Sequence, residues 1–222
     1  MKLACLFSGG KDSCLALHKV LQDGHEVNFL LNVSTETRDS FMFHKPEMKL
    51  LKKQAKELGI KLIVEKSEGE KEEELDDLKN LILKVREKIE GIVVGGIASN
   101  YQGSRIKKIC DELGLKFLAP LENYNSEKLW SELFENNFEI ILTKISCEGI
   151  GKEWIGKIIQ REDYEQLKKI SEKYKFRMDF EGGEAESAVL FMLEFKKKIK
   201  INFDILSEGK FRHFIINLKI KK

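Results

Sequence analysis

The chain has 222 residues, 42% hydrophobic and 34% charged, a balance that supports a folded core and excludes a disordered or low-complexity chain. Its 39 basic and 37 acidic side chains leave a formal net charge of +2, too even to argue for non-specific nucleic-acid binding, so no stable nucleic-acid complex is expected. No apolar run is long enough to span a bilayer and the N-terminus carries no leader pattern, so a cytoplasmic protein without a membrane partner is expected. Cys5, Cys14, Cys110 and Cys147 are scattered without metal-ligand spacing and read as reduced thiols.

Leu3 to Phe7 is a short apolar run and reads as a buried strand. It leads into Ser8-Gly9-Gly10-Lys11-Asp12-Ser13, after which Cys14 to Leu21 has the apolar spacing of a helix. A strand, a tight glycine turn and a helix start make an anion site. Glycines let the backbone turn and approach a ligand closely, and the free N–H groups of a helix start point at an anion. Ser8 and Ser13 add hydroxyls and Lys11 a point charge, while Asp12 would repel bare phosphate and so points to a metal ion or a structural contact. The turn is too short for a Walker loop and lacks the third glycine of the dinucleotide fingerprint.

Further strands are read at Val27 to Val33, Ile60 to Val64, Gly91 to Gly95 and Leu115 to Leu118, with helices from Pro46 to Leu58, Leu75 to Ile89 and Ser104 to Leu113. This alternation predicts a parallel sheet with helices on both faces, as in Rossmann-like folds. The turns at 8–13 and 95–102 then fall on the carboxyl edge, where open α/β sheets bind ligands, and would line one pocket from two sides. The character changes near Leu121, which predicts a first domain over 1–121 and a smaller α+β domain over 122–222. In the second part Ser126 is read as capping a helix that carries Leu129, Trp130, Leu133 and Phe134, followed by a strand at Glu139 to Ile145 and a helix from Asp163 to Tyr174. Ala188 to Phe195 reads as strand or helix, and a hairpin joins Ile199–Leu206 to Phe211–Ile220. Glu181-Gly182-Gly183-Glu184-Ala185-Glu186 places three carboxylates around a double glycine; by residue chemistry alone a solvated turn is the favoured reading.

Ser-Gly-Gly-Lys-Asp-Ser resembles the pyrophosphate loop of the N-type ATP pyrophosphatases. With Met-Phe-His at 42–44, Ile-Ala-Ser-Asn-Tyr-Gln at 97–102, Gly-Lys-Glu-Trp-Ile-Gly at 151–156 and Glu-Gly-Gly-Glu at 181–184 in the same order, the chain resembles the diphthine–ammonia ligase, or diphthamide synthase, family. The resemblance implies a nucleotide-binding domain of the HUP type and a family-specific C-terminal domain. It implies amidation of diphthine, a modified histidine of translation elongation factor 2, with ammonium, ATP going to AMP and pyrophosphate. The sequence departs from the family pattern at Gly96, Gly103 and Ala185, changes that bear on substrate contacts more than on ATP cleavage.

On that resemblance Ser8, Gly9, Gly10, Lys11, Asp12, Ser13, Ser99 and Asn100 would contact ATP, with Lys11 stabilising the leaving pyrophosphate and Asp12 meeting Mg²⁺. Tyr101, Gln102, Glu181, Gly182, Gly183 and Glu184 would contact substrate, and Glu184 and Glu186 would take part in the amidation. The three carboxylates Glu181, Glu184 and Glu186 could bind ammonium and accept its proton, or bind the trimethylammonium of diphthine beside Tyr101 or Trp154; spacing does not choose. Core packing stands as the plain alternative for Tyr101 and Trp154, a turn histidine for His44 and a solvent-facing side chain for Arg105. The rival functions are an ATP-dependent tRNA-modifying enzyme and a nucleotide-binding sensor without catalysis. The sequence is equally compatible with a monomer and a homo-oligomer.

Overall fold

The computed structural model describes residues 1–35, 47–67, 73–96 and 100–221. By contacts the chain divides into two compact units, Met1–Ser8 with Asp12–Glu122, and Gly9–Lys11 with Asn123–Lys222.

The first unit is an alternating α/β chain: β1 (Lys2–Leu6), α1 (Lys11–Gln22), β2 (Glu26–Thr35), α2 (Met48–Leu58), β3 (Lys61–Ser67), α3 (Glu73–Leu83), β4 (Gly91–Val93), α4 (Asn100–Glu112) and β5 (Lys116–Leu118). All neighbouring strands are parallel, in the order β3-β2-β1-β4-β5. The order reverses between β1 and β4. Right-handed crossovers therefore put α1 and α2 on one face and α3 and α4 on the other, as the alternation predicts. Strands covered on both faces are near-continuously apolar, and Leu3, Ala4, Cys5, Leu30, Leu31, Ile92 and Val93 are essentially sealed from solvent. Gly59, at φ 71°, closes α2 by donating its N–H to Lys56 O at 3.2 Å. The helix read from Leu75 to Ile89 ends earlier, at Leu83, with a separate 3-10 turn at Arg86–Lys88. The helix read from Ser104 starts at Asn100, so Gly103 is a buried helical glycine rather than a loop residue.

The second unit holds α5 (Ser126–Glu135), β6 (Glu139–Ser146), α6 (Arg161–Tyr174), β7 (Ala185–Phe191), β8 (Ile201–Glu208) and β9 (Arg212–Ile220). Its strands form an antiparallel sheet in the order β7-β6-β9-β8. Asn125, not Ser126, caps α5: its side-chain oxygen accepts the Lys128 N–H at 2.8 Å, the residue three positions on, which leaves Ser126 inside the first turn. Trp130 is fully buried at the centre of an aromatic cluster with Phe134, Tyr164 and Phe180, and its indole N–H donates to Met178 O at 2.8 Å. Of the run from Ala188 to Phe195 that could be strand or helix, the part to Phe191 is strand, and that strand begins at Ala185, just past Glu184 and the double glycine.

Candidate active site

The Ser8–Ser13 turn follows β1 at the point where the strand order reverses, the place where open α/β sheets bind ligands. Gly9 stands at φ 76°, a conformation glycine adopts without penalty. The Ser8 and Ser13 hydroxyls lie 3.2 Å apart and bridge the two ends of the turn. Asn32 of β2 holds its start, donating from Nδ2 to Phe7 O at 2.9 Å. Gly95, just past β4, lies directly against the turn: a Cβ there would come within 2.6 Å of Ser13 N and 2.7 Å of the Asp12 carbonyl carbon. Gly95 is thus packed directly on the Ser8–Ser13 turn.

The middle of the turn is bound to the 177–189 segment. Val189 of β7 donates its N–H to Gly9 O at 3.0 Å. Two residues back on the same strand face, the Ser187 hydroxyl accepts the Lys11 N–H at 3.2 Å, occupying one of the first N–H groups of α1. The Lys11 side chain is buried. Its ammonium donates to Asp179 O at 2.5 Å and lies 5.8 Å from the centroid of the Phe180 ring.

The Glu181–Glu184 stretch is an ordered turn. Phe180 and Gly183 take positive φ, and Gly183 donates its N–H to Phe180 O at 3.3 Å. The Glu184 carboxylate accepts the N–H groups of Arg177 at 3.0 Å and Gly182 at 2.8 Å. Glu186, one strand residue into β7, pairs with Lys144 of β6 at 2.9 Å, both side chains less than a fifth exposed. Asp179 is gripped by the Arg177 guanidinium through two hydrogen bonds of 3.0 and 2.7 Å, and its Oδ1 also accepts the Glu181 N–H at 3.0 Å. Burial pushes the Asp179 carboxyl up, but the Arg177 and Glu181 hydrogen bonds and the positive charges of Arg177 and Lys11 outweigh it and hold the group below the usual carboxylate range.

Ser99 and His44 lie outside the described residues. Asn100, Tyr101 and Gln102 form the start of α4. Trp154 is buried, with the Lys157 ammonium 4.7 Å from its ring centroid, so its place is in the core. The Cys147 thiol is pushed up to about 11, first by burial and then by the negative charge of Glu184. Among the described residues no group of three or more His, Cys, Asp and Glu side chains is arranged to hold a metal ion. The one carboxylate of the turn, Asp12, is half-buried, and Mg²⁺ bound to a triphosphate in general takes one or two carboxylates alongside phosphate oxygens and water.

Gly95, Asn32, Arg177 and Asp179 are residues here that residue-by-residue reading did not single out. A glycine pair after Val93-Val94 was a usable signal for Gly95, since glycine at a strand end marks close backbone approach. Arg177 and Asp179 give no such signal, because an Arg-x-Asp spacing is common on any charged surface.

A parallel sheet in the order 3-2-1-4-5, with a Ser-Gly-Gly-Lys-Asp-Ser turn where the order reverses, defines an α/β protein of the N-type ATP pyrophosphatase class. Models of the diphthamide synthase N-terminal and C-terminal domains match residues 1–117 and 125–222. The chain belongs to the diphthamide synthase family. It is 32% identical over 225 residues to the diphthine–ammonia ligases of Rattus norvegicus and Homo sapiens, covering 91% of this chain and 83% of each relative. It is 32% identical over 217 residues to that of Schizosaccharomyces pombe, covering 90% of this chain and 36% of that longer protein.

Proposed function

We propose that this chain is a diphthine–ammonia ligase that amidates the diphthine carboxylate of translation elongation factor 2 in the cytoplasm, with ATP as co-substrate. The observation that carries the reading is the match of both family domains, in order, along one chain whose phosphate-suited turn sits at the sheet's reversal point. A carboxylate does not react with ammonia unless its oxygen is first made a leaving group. A diphthine carboxylate oxygen attacks the α-phosphorus of ATP, the bond to the β-phosphate breaks, and pyrophosphate leaves an acyl-adenylate. Ammonia then attacks the acyl carbon, the bond to AMP breaks, and one proton is released with the amide.

The chain's own part is positioning and electrostatic stabilisation. Ser8, Gly9, Gly10 and Ser13 cradle the leaving phosphates, Lys11 offsets their charge, and Asp12 meets the Mg²⁺ that accompanies the nucleotide. Ser99 and Asn100 complete the nucleotide contacts. Tyr101, Gln102, Glu181, Gly182, Gly183 and Glu184 are assigned to contacts with the protein substrate, and Glu184 and Glu186 to holding ammonium and taking its proton. Glu184 anchors the turn through two N–H groups, and a carboxylate's further lone pairs leave it room for a cation.

The test is release of AMP. With elongation factor carrying diphthine, ATP and ammonium, AMP and amide should form together; AMP formed instead with tRNA, or ATP bound and left intact, would reject this reading. The tRNA alternative by sulfur transfer would need a reactive cysteine, and the raised Cys147 thiol argues against that one. Lys11→Ala and Asp12→Ala should each abolish pyrophosphate release in a folded protein.

A further inference from the structure

We infer that Arg177, through Asp179, is the positioning residue that sets where the Lys11 ammonium stands. Lysine is a flexible stem carrying a point charge, so a lysine that must meet one phosphate needs something fixed to hold it. Here the hold is a backbone carbonyl, Asp179 O, at 2.5 Å from Lys11 Nζ. A carbonyl has no conformational freedom beyond that of its own chain, and the chain around Asp179 is fixed on every side. Arg177 forks onto both Asp179 carboxylate oxygens at 3.0 and 2.7 Å, and the Glu181 N–H binds one of them at 3.0 Å. The carbonyl just before, Met178 O, accepts the Trp130 indole N–H at 2.8 Å. The residue just after, Phe180, is held at φ 60° with its ring against Phe176 and Trp130.

In this arrangement the Asp179 side chain is largely buried while the Arg177 side chain is more than half exposed. Truncating Arg177 leaves the largely buried Asp179 carboxylate without its cationic partner, with the Glu181 N–H still bound to it. Asp179 then loses both guanidinium donors, and its peptide keeps only the holds from the Glu181 N–H, Trp130 and Phe180. The rest of the Lys11 surroundings, the Ser187 bond to its N–H and the Phe180 ring, stays in place. An ammonium has three N–H donors, so the bond to Asp179 O leaves others to direct at an anion. The relevance to pyrophosphate release rests on the function proposed above; the clamp itself does not.

The test is therefore read first on Lys11 and only then on turnover. Competitive labelling of lysine amines with trace acetic anhydride, resolved by mass spectrometry, gives a rate for each ammonium in the full chain. Lys11 should label several-fold more slowly than the exposed Lys52 in the wild type. In Arg177→Gln its rate should rise several-fold, and in Arg177→Lys, which keeps the positive charge but not the two-pronged fork, it should rise less. Lys144 of β6, paired with Glu186 of the adjacent strand β7, should not change. An unchanged Lys11 rate in Arg177→Gln, or an equal rise at Lys11 and Lys144, would overturn the clamp. With diphthine-bearing elongation factor, Arg177→Gln should lower kcat about tenfold with the KM for the protein substrate unchanged. Failure of the wild type to turn over would reject the proposed function while the labelling rates still decide the clamp.

Discussion

At the scale of single residues, the site depends on atoms that are missing as much as on those present. Gly95 has no Cβ, and that is what lets the backbone after β4 lie on the backbone of Asp12 and Ser13. Gly95→Ala would place a methyl group against main-chain atoms that have no rotamer to yield, so the turn itself must shift. Overpacking of this kind costs about 1–3 kcal/mol, and here the cost falls on the phosphate cradle. The variant should melt lower and bind ATP at least tenfold more weakly in isothermal titration; wild-type affinity would show that the turn's position is not set by Gly95. Cys147 gives a second residue-scale expectation. With its thiol pushed up to about 11, only a small fraction is thiolate near pH 7.5, and the thiolate is the nucleophile. Alkylation of Cys147 by iodoacetamide should be slow at neutral pH and accelerate steadily as the pH rises toward 11, without a plateau below pH 10.

At the scale of elements, α6 shows how a helix start is fixed by one side chain. Asp163 reaches back to accept the Gln160 N–H at 3.0 Å and, with its other oxygen, pairs with Lys157 at 2.6 Å. It satisfies one donor that the helix leaves open and places a negative charge at the positive end of the macrodipole. Asp163→Ala should lower stability in urea by about 1–2 kcal/mol, with the slope of the transition unchanged; a loss within error would mean that water caps this helix equally well. The elements themselves were legible from the sequence wherever apolar spacing and a stop signal agreed, as in α2 with Gly59 or the β8–β9 hairpin. They were misplaced where the deciding contact came from elsewhere in the chain. The helix read from Ser104 begins at Asn100, so that Gly103 is buried within α4 although glycine is a poor helix former. Ser126 and Asn125 are both good caps, and only geometry chooses between them. The Ser8–Ser13 turn was legible as a glycine turn between strand and helix because its signal is local. The hold on Lys11 was not, because Asp179 is 168 residues away and bonds through a carbonyl that every residue type possesses.

At the scale of the whole molecule, the two units should respond differently to acid. Two carboxyls of the second unit, Asp163 and Asp179, are held below the usual range. In each, burial works upward and is outweighed by a basic partner, Lys157 or Arg177, together with a backbone N–H. A carboxyl whose folded value is depressed contributes stability that is present above its unfolded value, about 3.9 for aspartate, and is lost as pH falls through the folded value. In the first unit Glu112 is held down by a hydrogen bond from Lys79, and that pair is exposed, so water and salt screen most of its worth. Both tryptophans of the chain, Trp130 and Trp154, belong to the second unit, so tryptophan fluorescence reports on that unit alone, while helical circular dichroism reports on both. On titration from pH 7 to pH 2, the fluorescence change should begin at a higher pH than the loss of helix, starting just below pH 4. Asp163→Asn and Asp179→Asn should each start from a lower melting temperature at pH 7 and show a shallower decline toward pH 3, because the variant has already lost the charge that the acid would neutralise. Superimposable fluorescence and dichroism curves in the wild type, with equal slopes in both variants, would mean that acid acts through carboxyls spread evenly over the chain.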